Sequence, residues 1–294
     1  MGEFRSGYVS LTGRPNVGKS TLLNTILGEK IAIVSPKPQT TRNRIMGVKT
    51  LPDAQIIFLD TPGIHKPKHR LGEIMVGEAK ESVKAVDIIL FLVEPEAPGA
   101  GDRFILEMLK GLDKTVFLVI NKLDTVKKPR VLPVIEAYGK LFPFREIVPL
   151  SAETGDGVDL LLETVVHYLP EGPKYYPDDV FTDRVERFMA GEIIREKIML
   201  DTGDEIPYSV ATEILSWKER EDGVLLVQAN IYVEREGQKG IIIGKGGERL
   251  KKIGTAARLE MEGLLGNKVF LELWVKVKKD WRGDERFLKE LGFQ

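Results

Sequence analysis

The sequence predicts an α/β, doubly wound sheet followed by a smaller α+β domain, and three observations predict it. Short apolar runs alternate with helix-like segments over the first 170 or so residues. The stretch LPEGPKYYPDD, Leu169 to Asp179, then breaks that alternation with three prolines and a glycine. Beyond it, helices and strands follow in a different order. A chain of 294 residues is also long for one core, since single cores rarely grow past about 250 residues. The boundaries that follow are 1–172 for the first domain, 173–181 for a linker and 182–294 for the second domain.

The strands of the first domain read at Tyr8–Leu11, Ile56–Leu59, Asp87–Val93, Val116–Ile120 and Ile147–Leu150, with Arg44–Thr50 as an additional edge strand. Continuous apolar runs suit parallel strands buried on both faces. Helical patterns fall at Thr21–Leu27, Leu71–Ala85, Arg103–Leu109, Val131–Leu141 and Val158–Leu169. In the second domain Thr182–Leu200 reads as a helix with Thr182 as N-cap. Ile214–Glu219 and Val224–Val233 read as strands around a turn at Glu221–Gly223. A glycine-punctuated helical region follows, then a strand at Val269–Val277 and a tail helix at Glu285–Leu291.

Composition bounds the function without naming it. Hydrophobic residues make up 43% and charged residues 30%, with a net charge of −1. The charge is uneven within the second domain. Phe181–Lys239 holds 8 Lys/Arg against 13 Asp/Glu, and Gly240–Gln294 holds 12 against 8. A basic C-terminal face suits phosphates. Cysteine is absent, which excludes disulfides, thiol nucleophiles and thiolate zinc sites and makes a reducing cytoplasm the simplest setting. No apolar run reaches the roughly 20 residues of a membrane span. MGEFRS matches the loose myristoylation pattern through Gly2 and Ser6, a pattern too short to carry an assignment.

The first informative motif is GRPNVGKS, Gly13 to Ser20. It fits G-x-x-x-x-G-K-[ST] between a strand and a helix. Gly13 and Gly18 let the backbone of Asn16 and Val17 curl its N–H groups toward phosphate oxygens. The helix through Thr21 adds its positive end. Lys19 supplies a charge for the β- and γ-phosphates, and Ser20 a hydroxyl for Mg²⁺. ATPases and small-molecule kinases use such a loop too.

Three further stretches point to guanine. IIFLDTPG ends a buried strand in Asp60, which can hold Mg²⁺ through water, and Gly63 allows its N–H to approach a γ-phosphate. FLVINKLD ends another in Asn121, Lys122 and Asp124. Asp124 can accept both N1–H and N2–H of guanine, and adenine has neither donor there. Asn121 would hold the loop and the base edge, with the Lys122 stem along the ring. PLSAETGDG places Ser151 and Ala152 at the next strand end, where a backbone N–H can reach guanine O6.

Together these motifs resemble the translation-factor-like class of GTPases over Gly7 to Leu169. By that resemblance, Lys37–Arg44 (KPQTTRNR) is the first switch, with Thr41 the Mg²⁺ ligand and sensor of the γ-phosphate and Thr40 the alternative. Many such GTPases carry Gln after DTPG to orient the attacking water; here it is Ile64, which implies slow intrinsic hydrolysis. In some relatives the position of Asn16 holds a monovalent cation, so K⁺ is implied there.

The second informative stretch is IIIGKGGERL, Ile241 to Leu250. Gly244, Lys245, Gly246 and Gly247 join two helical segments as a G-x-x-G loop does, letting a nucleic-acid backbone come close. Arg249 and its neighbours add charge, and Ile241–Ile243 are expected to line an apolar groove. The element order resembles the type II KH arrangement. A P-loop GTPase followed by such a domain resembles the Era family of bacterial ribosome-assembly GTPases over nearly the whole chain. That resemblance implies a GTP/GDP switch that binds small-subunit ribosomal RNA near its 3′ end during maturation of the small subunit. It also implies peripheral association at the inner face of the cell membrane and links to cell-cycle control; a cytoplasmic monomer is expected, although the sequence does not fix the oligomeric state. The mechanism it suggests is gating, with the KH groove open to RNA in the GTP state. Two rivals are a membrane- or protein-binding C-terminal domain that uses Lys276–Arg282, and an RNA-modifying enzyme. The lack of a cofactor motif speaks against the second.

Overall fold

Six short, mostly apolar segments of the first 150 residues pair into one sheet, because each is too apolar to leave in water and too short to bury itself alone. The computed structural model describes residues 3–64, 66–67, 69–183, 186–203 and 205–293. The chain divides into two compact units.

The first unit comprises Met1–Ala32, Gln39–Pro67 and Met75–Asp183. In chain order it carries β1 (Arg5–Gly13), α1 (Lys19–Leu27), β2 (Ile45–Thr50), β3 (Ala54–Asp60), most of α2 (Arg70–Lys84), β4 (Ile88–Val93), α3 (Ala100–Lys110), β5 (Thr115–Ile120), α4 (Val131–Gly139), β6 (Glu146–Pro149) and α5 (Val158–Tyr168). The sheet order is β2-β3-β1-β4-β5-β6, with β2 antiparallel and every other neighbour parallel. Two apolar clusters cover its faces. One joins Leu22 and Leu23 of α1 to Leu161 and Val165 of α5 through Leu11, Leu90 and Phe117. The other joins Ala79 of α2, Ile105 of α3 and Tyr138 of α4 through Ile57, Phe91 and Leu118. Burial on both faces explains the continuous apolar strands. It also aims the C-terminal ends of β1, β3 and β5 at one edge of the sheet, where ligands bind in doubly wound folds.

The proline-rich stretch is bound to this unit. Gln55 Oε1 accepts the N–H groups of Tyr175 and Tyr176 at 2.8 and 2.9 Å, and the Tyr8 and Tyr175 rings lie 5.7 Å apart. Val48 N–H donates to Phe181 O at 2.9 Å. Thr182 is not a helix cap. It forms an antiparallel bridge with Gly47, and the next helix is described from Glu186.

The second unit comprises Ile33–Pro38, Lys68–Ile74 and Arg184–Gln294. Its C-terminal part runs α6 (Glu186–Asp201), α7 (Ile206–Ser209), β7 (Ala211–Glu219), β8 (Leu225–Val233), α8 (Glu236–Ile243), α9 (Glu248–Leu265), β9 (Val269–Val277) and α10 (Glu285–Glu290). The sheet order is β7-β8-β9, antiparallel then parallel. α6 and α9 pack Ile193, Ile194, Ala257 and Met261 on one sheet face through Val227, Ala229 and Ile231. The two N-terminal segments join this unit by backbone donors: Val34 N–H to Glu196 Oε1 at 2.8 Å and Leu71 N–H to Arg282 O at 3.0 Å. The tail is pinned by Trp281, fully buried, whose Nε1 donates to Ser209 O at 2.8 Å. Among the described residues no helix is long and apolar enough to cross a membrane. Gly2 lies outside the described residues.

Candidate functional site

β1 runs into the 13–18 loop and the loop into α1, so the strand–loop–helix order places the first N–H groups of α1 beside the loop. Glycine is required at two corners. A Cβ on Gly13 would lie 2.5 Å from Leu92 O, and one on Gly18, left-handed at φ 95°, would lie 2.2 Å from Asn121 Nδ2. Asn16 is left-handed too, at φ 67°. Lys19 is buried and folds back on the loop, donating to Arg14 O at 3.0 Å and Gly13 O at 3.4 Å. Burial pushes its ammonium down to about 8, against the pull of Asp60.

Ser20, Thr41 and Asp60 converge from three separate elements. Ser20 Oγ donates to Asp60 Oδ2 at 2.6 Å and lies 2.8 Å from Thr41 Oγ1; Thr41 Oγ1 reaches the same carboxylate at 3.5 Å. Thr41 rather than Thr40 makes these contacts. Burial raises the Asp60 carboxyl, with Lys19 and the Ser20 hydroxyl acting the other way. Among the described residues Asp60 Oδ1 is buried without a hydrogen-bond partner. A buried carboxylate oxygen left unsatisfied, beside two hydroxyls, fits a hard cation with oxygen ligands.

The DTPG turn closes against the loop. A Cβ on Gly63 would lie 2.6 Å from Pro15 N, and Ile64 N–H donates to Gly13 O at 3.2 Å. The Ile64 side chain is buried in the cluster under α2 and α3, so it cannot face an attacking water.

The base end is organised by Asn121, which is buried. Its Nδ2 donates to Val17 O and its Oδ1 accepts Ala152 N–H, both at 2.8 Å. One side chain thus ties the phosphate loop to the 151–152 turn. Asp124 Oδ1 accepts Ser151 Oγ at 2.6 Å, which fixes the carboxylate. Thr21 accepts the Thr25 hydroxyl at 3.0 Å, and Thr25 also donates to Ala152 O at 2.7 Å. Lys122, at φ 63°, is paired with Glu94. Arg14 holds the loop from behind, with Nε 2.8 Å from the buried Asp102 and Nη2 2.7 Å from Glu96. Arg14 fills an unspecified position of GRPNVGKS, Glu94 and Asp102 lie outside every motif, and all are far from their partners in sequence, so the sequence alone did not mark them.

In the second unit, three of the four residues Gly244–Gly247 are at positive φ: Gly244 at 73°, Gly246 at 60° and Gly247 at 83°. Cβ atoms added at Gly246 and Gly247 would meet nothing within 4 Å, so this turn presents open backbone. Beside it lies a groove of about 370 Å³ between α9 and β9, walled by Leu250, Leu271 and Leu273, with Lys251 and Arg258 at its sides. Ile241–Ile243 do not line it. Ile242 is core, Ile243 packs against the core and Ile241 is exposed, because consecutive helical positions point 100° apart. Arg249 braces the loop, with Nη1 donating to Ile241 O at 2.8 Å and Nε 3.3 Å from Asp201.

Comparison with known proteins decides what these sites are. A 50S ribosome-binding GTPase family model matches residues 8–122, and a KH domain model matches 205–282. The GTPase Era of Geobacter metallireducens is 60% identical over 99% of this chain and 98% of its own length. That of Staphylococcus haemolyticus is 53% identical over 100% and 98%. The chain belongs to the Era family of GTPases. Two solved structures agree at TM-score 0.96, 47% identity and 99% coverage of each chain: an Aquifex aeolicus Era variant bound to GDP·AlF4⁻, and Era with MgGDPNP and nucleotides 1506–1542 of 16S ribosomal RNA. An Era-type P-loop GTPase domain and a C-terminal KH domain therefore account for both sites, and GTP hydrolysis is the activity of the family.

Proposed function

We propose that this chain is a GTP-driven switch that binds small-subunit ribosomal RNA near its 3′ end through the Gly244–Gly247 turn and the α9/β9 groove, and acts in maturation of that subunit. The observation that carries the reading is the pairing, in one chain, of an assembled phosphate and guanine site with an open KH turn beside an apolar groove. A solved relative holds both ligand types.

In the nucleotide site, Lys19 leaves the loop carbonyls for the β- and γ-phosphates, and Asp124 takes the guanine N1–H and N2–H. Ser20, Thr41 and Asp60 would hold Mg²⁺, which neutralises charge on the phosphate oxygens when bound. Positioning and charge stabilisation carry phosphoryl transfer, so no general base is required there. Asn16 would hold K⁺, which would supply charge stabilisation beside the phosphates; equal kcat in K⁺ and Na⁺ would remove it from the account.

Coupling follows from chain continuity. Residues 33–38 and 68–74 belong to the second unit, and they flank Thr41 and Ile64 in sequence. Ordering Thr41 at the γ-phosphate pulls on Val34, which Glu196 holds, and thereby biases the KH unit. Lys245 and Arg249 support the RNA site, Arg249 by bracing the turn, and Ile243 holds the preceding helix to the core. The protein acts as a monomer in the cytoplasm. For the rival membrane reading, Lys276 and Lys279 are the exposed cations within Lys276–Arg282, where Trp281 is buried, Arg282 is paired with Glu234 and Lys278 with Asp284. Fluorescence anisotropy of a labelled single-stranded RNA from the 3′ end of 16S ribosomal RNA tests the proposal. Binding with a non-hydrolysable GTP analogue, weakened with GDP, is expected. Absence of binding in every nucleotide state refutes it.

A further inference from the structure

Strand β9 lies at the edge of the second sheet, and its two faces meet different surroundings. Leu271 and Leu273 turn to the groove, while Val269 and Val275 enter the core. Alternation places Phe270, Glu272, Trp274 and Lys276 on the opposite face. That face carries two large exposed aromatics, Phe270 at 44% and Trp274 at 42%. They stand four residues apart on one strand, about 13 Å. The Arg220 guanidinium lies over the Phe270 ring, 4.5 Å from its centroid. The carboxylates of this face are engaged. Glu272 accepts Gln228 Nε2 at 2.6 Å, and Glu213 accepts Tyr232 OH at 2.7 Å and Asn230 Nδ2 at 3.1 Å. Lys218, in register with Leu226 and Phe270, and Lys276 are exposed. The tail meets this face at Tyr232, where Phe287 packs edge-on at 4.9 Å.

We infer that the outer face of this sheet is a stacking platform for single-stranded RNA, which reaches it from the groove around the β9 edge. The inference rests on the RNA reading above and extends it to a second surface. Continuity supports it, since one strand supplies the groove wall and the aromatics on its other side. Charge supports it as well: Arg220 lies over the Phe270 ring and Lys218 and Lys276 are exposed on the same face, and base–aromatic stacking beside cations is how sequence-tolerant single-strand sites are built. Two exposed rings also cost the free protein solvation that stacked bases would recover.

The test uses the full chain with a non-hydrolysable GTP analogue and two labelled RNAs from the 3′ end of 16S ribosomal RNA. One has about the four nucleotides that a KH turn clamps; the other contains it and is about three times as long. Wild type should bind the longer RNA more tightly. Trp274→Ala should weaken the longer RNA by about tenfold and leave the shorter one unchanged, with Phe270→Ala adding to the loss. Trp274→Phe should restore most of the affinity. Equal affinity of wild type and Trp274→Ala for the longer RNA overturns the platform, as does equal loss for both RNAs or failure of Trp274→Phe to rescue. If wild type binds neither RNA, the RNA reading fails and the platform with it.

Discussion

The two sites of this chain solve opposite problems. The nucleotide site is made of side chains, most of them buried, that already hold one another: Ser20 on Asp60, Asn121 between Val17 and Ala152, Ser151 on the exposed Asp124. The KH turn is made of backbone, with glycines at positive φ and open space above them. A small, highly charged ligand gains from polar groups fixed before it arrives, because reorganisation then costs little. A flexible polymer gains from an accessible backbone and a charged rim, because its bases must be splayed onto the surface.

Variants can break this contrast in order of effect. Lys19→Ala removes the one cation inside the phosphate loop and should lower kcat/KM for GTP by about 10³-fold, with RNA binding in the absence of nucleotide unchanged. Steady-state hydrolysis and anisotropy read the two halves. Asp124→Asn keeps the shape but sets an amide donor against the guanine 2-amino group; GTP affinity should fall by about 10²-fold, and xanthosine triphosphate, which carries a carbonyl at that position, should gain. Competition between the two nucleotides checks it. On the other side, Gly246→Asp forces a side chain onto a left-handed position and sets a carboxylate against phosphates. RNA affinity should drop by at least about tenfold, from strain of about 1–2 kcal/mol plus repulsion, while basal hydrolysis stays as in wild type. The smallest effect sharpens the contrast from behind the loop. Arg14→Ala leaves buried Asp102 with only the Gly99 N–H among its described partners and should cost about 1–3 kcal/mol of stability. Thermal unfolding should show it together with a raised KM for GTP.

Much of this was legible because chemistry fixed spacing. GRPNVGKS, DTPG, NKLD and SAE each end a strand that burial makes apolar, so pattern and motif agree on place. The choice between Thr41 and Thr40 was not legible, since a loop has no periodicity to orient adjacent residues; the contact to Ser20 places Thr41 beside Asp60, which favours Thr41. Ile241–Ile243 misled because three consecutive isoleucines cannot share a helix face, and the groove took its wall from Leu250, Leu271 and Leu273 instead. Thr182 was read as a cap from its type alone, whereas a bridge to Gly47 claims it. The short helix Ile206–Ser209 is one turn, too brief for a 3.6-residue pattern to show. The Arg14–Asp102 pair spans 88 residues, and only the fold brings its members together.

The central claim is that the two sites share one equilibrium. It is tested most directly by measuring the affinities of a fluorescent non-hydrolysable GTP analogue and of fluorescent GDP with and without saturating RNA from the 3′ end of 16S ribosomal RNA. Linkage requires RNA to raise the analogue's affinity relative to GDP by the same factor by which the analogue, relative to GDP, raises RNA affinity, about 5- to 150-fold for typical coupling. An identical ratio with and without RNA would contradict the switch and leave two independent sites on one chain.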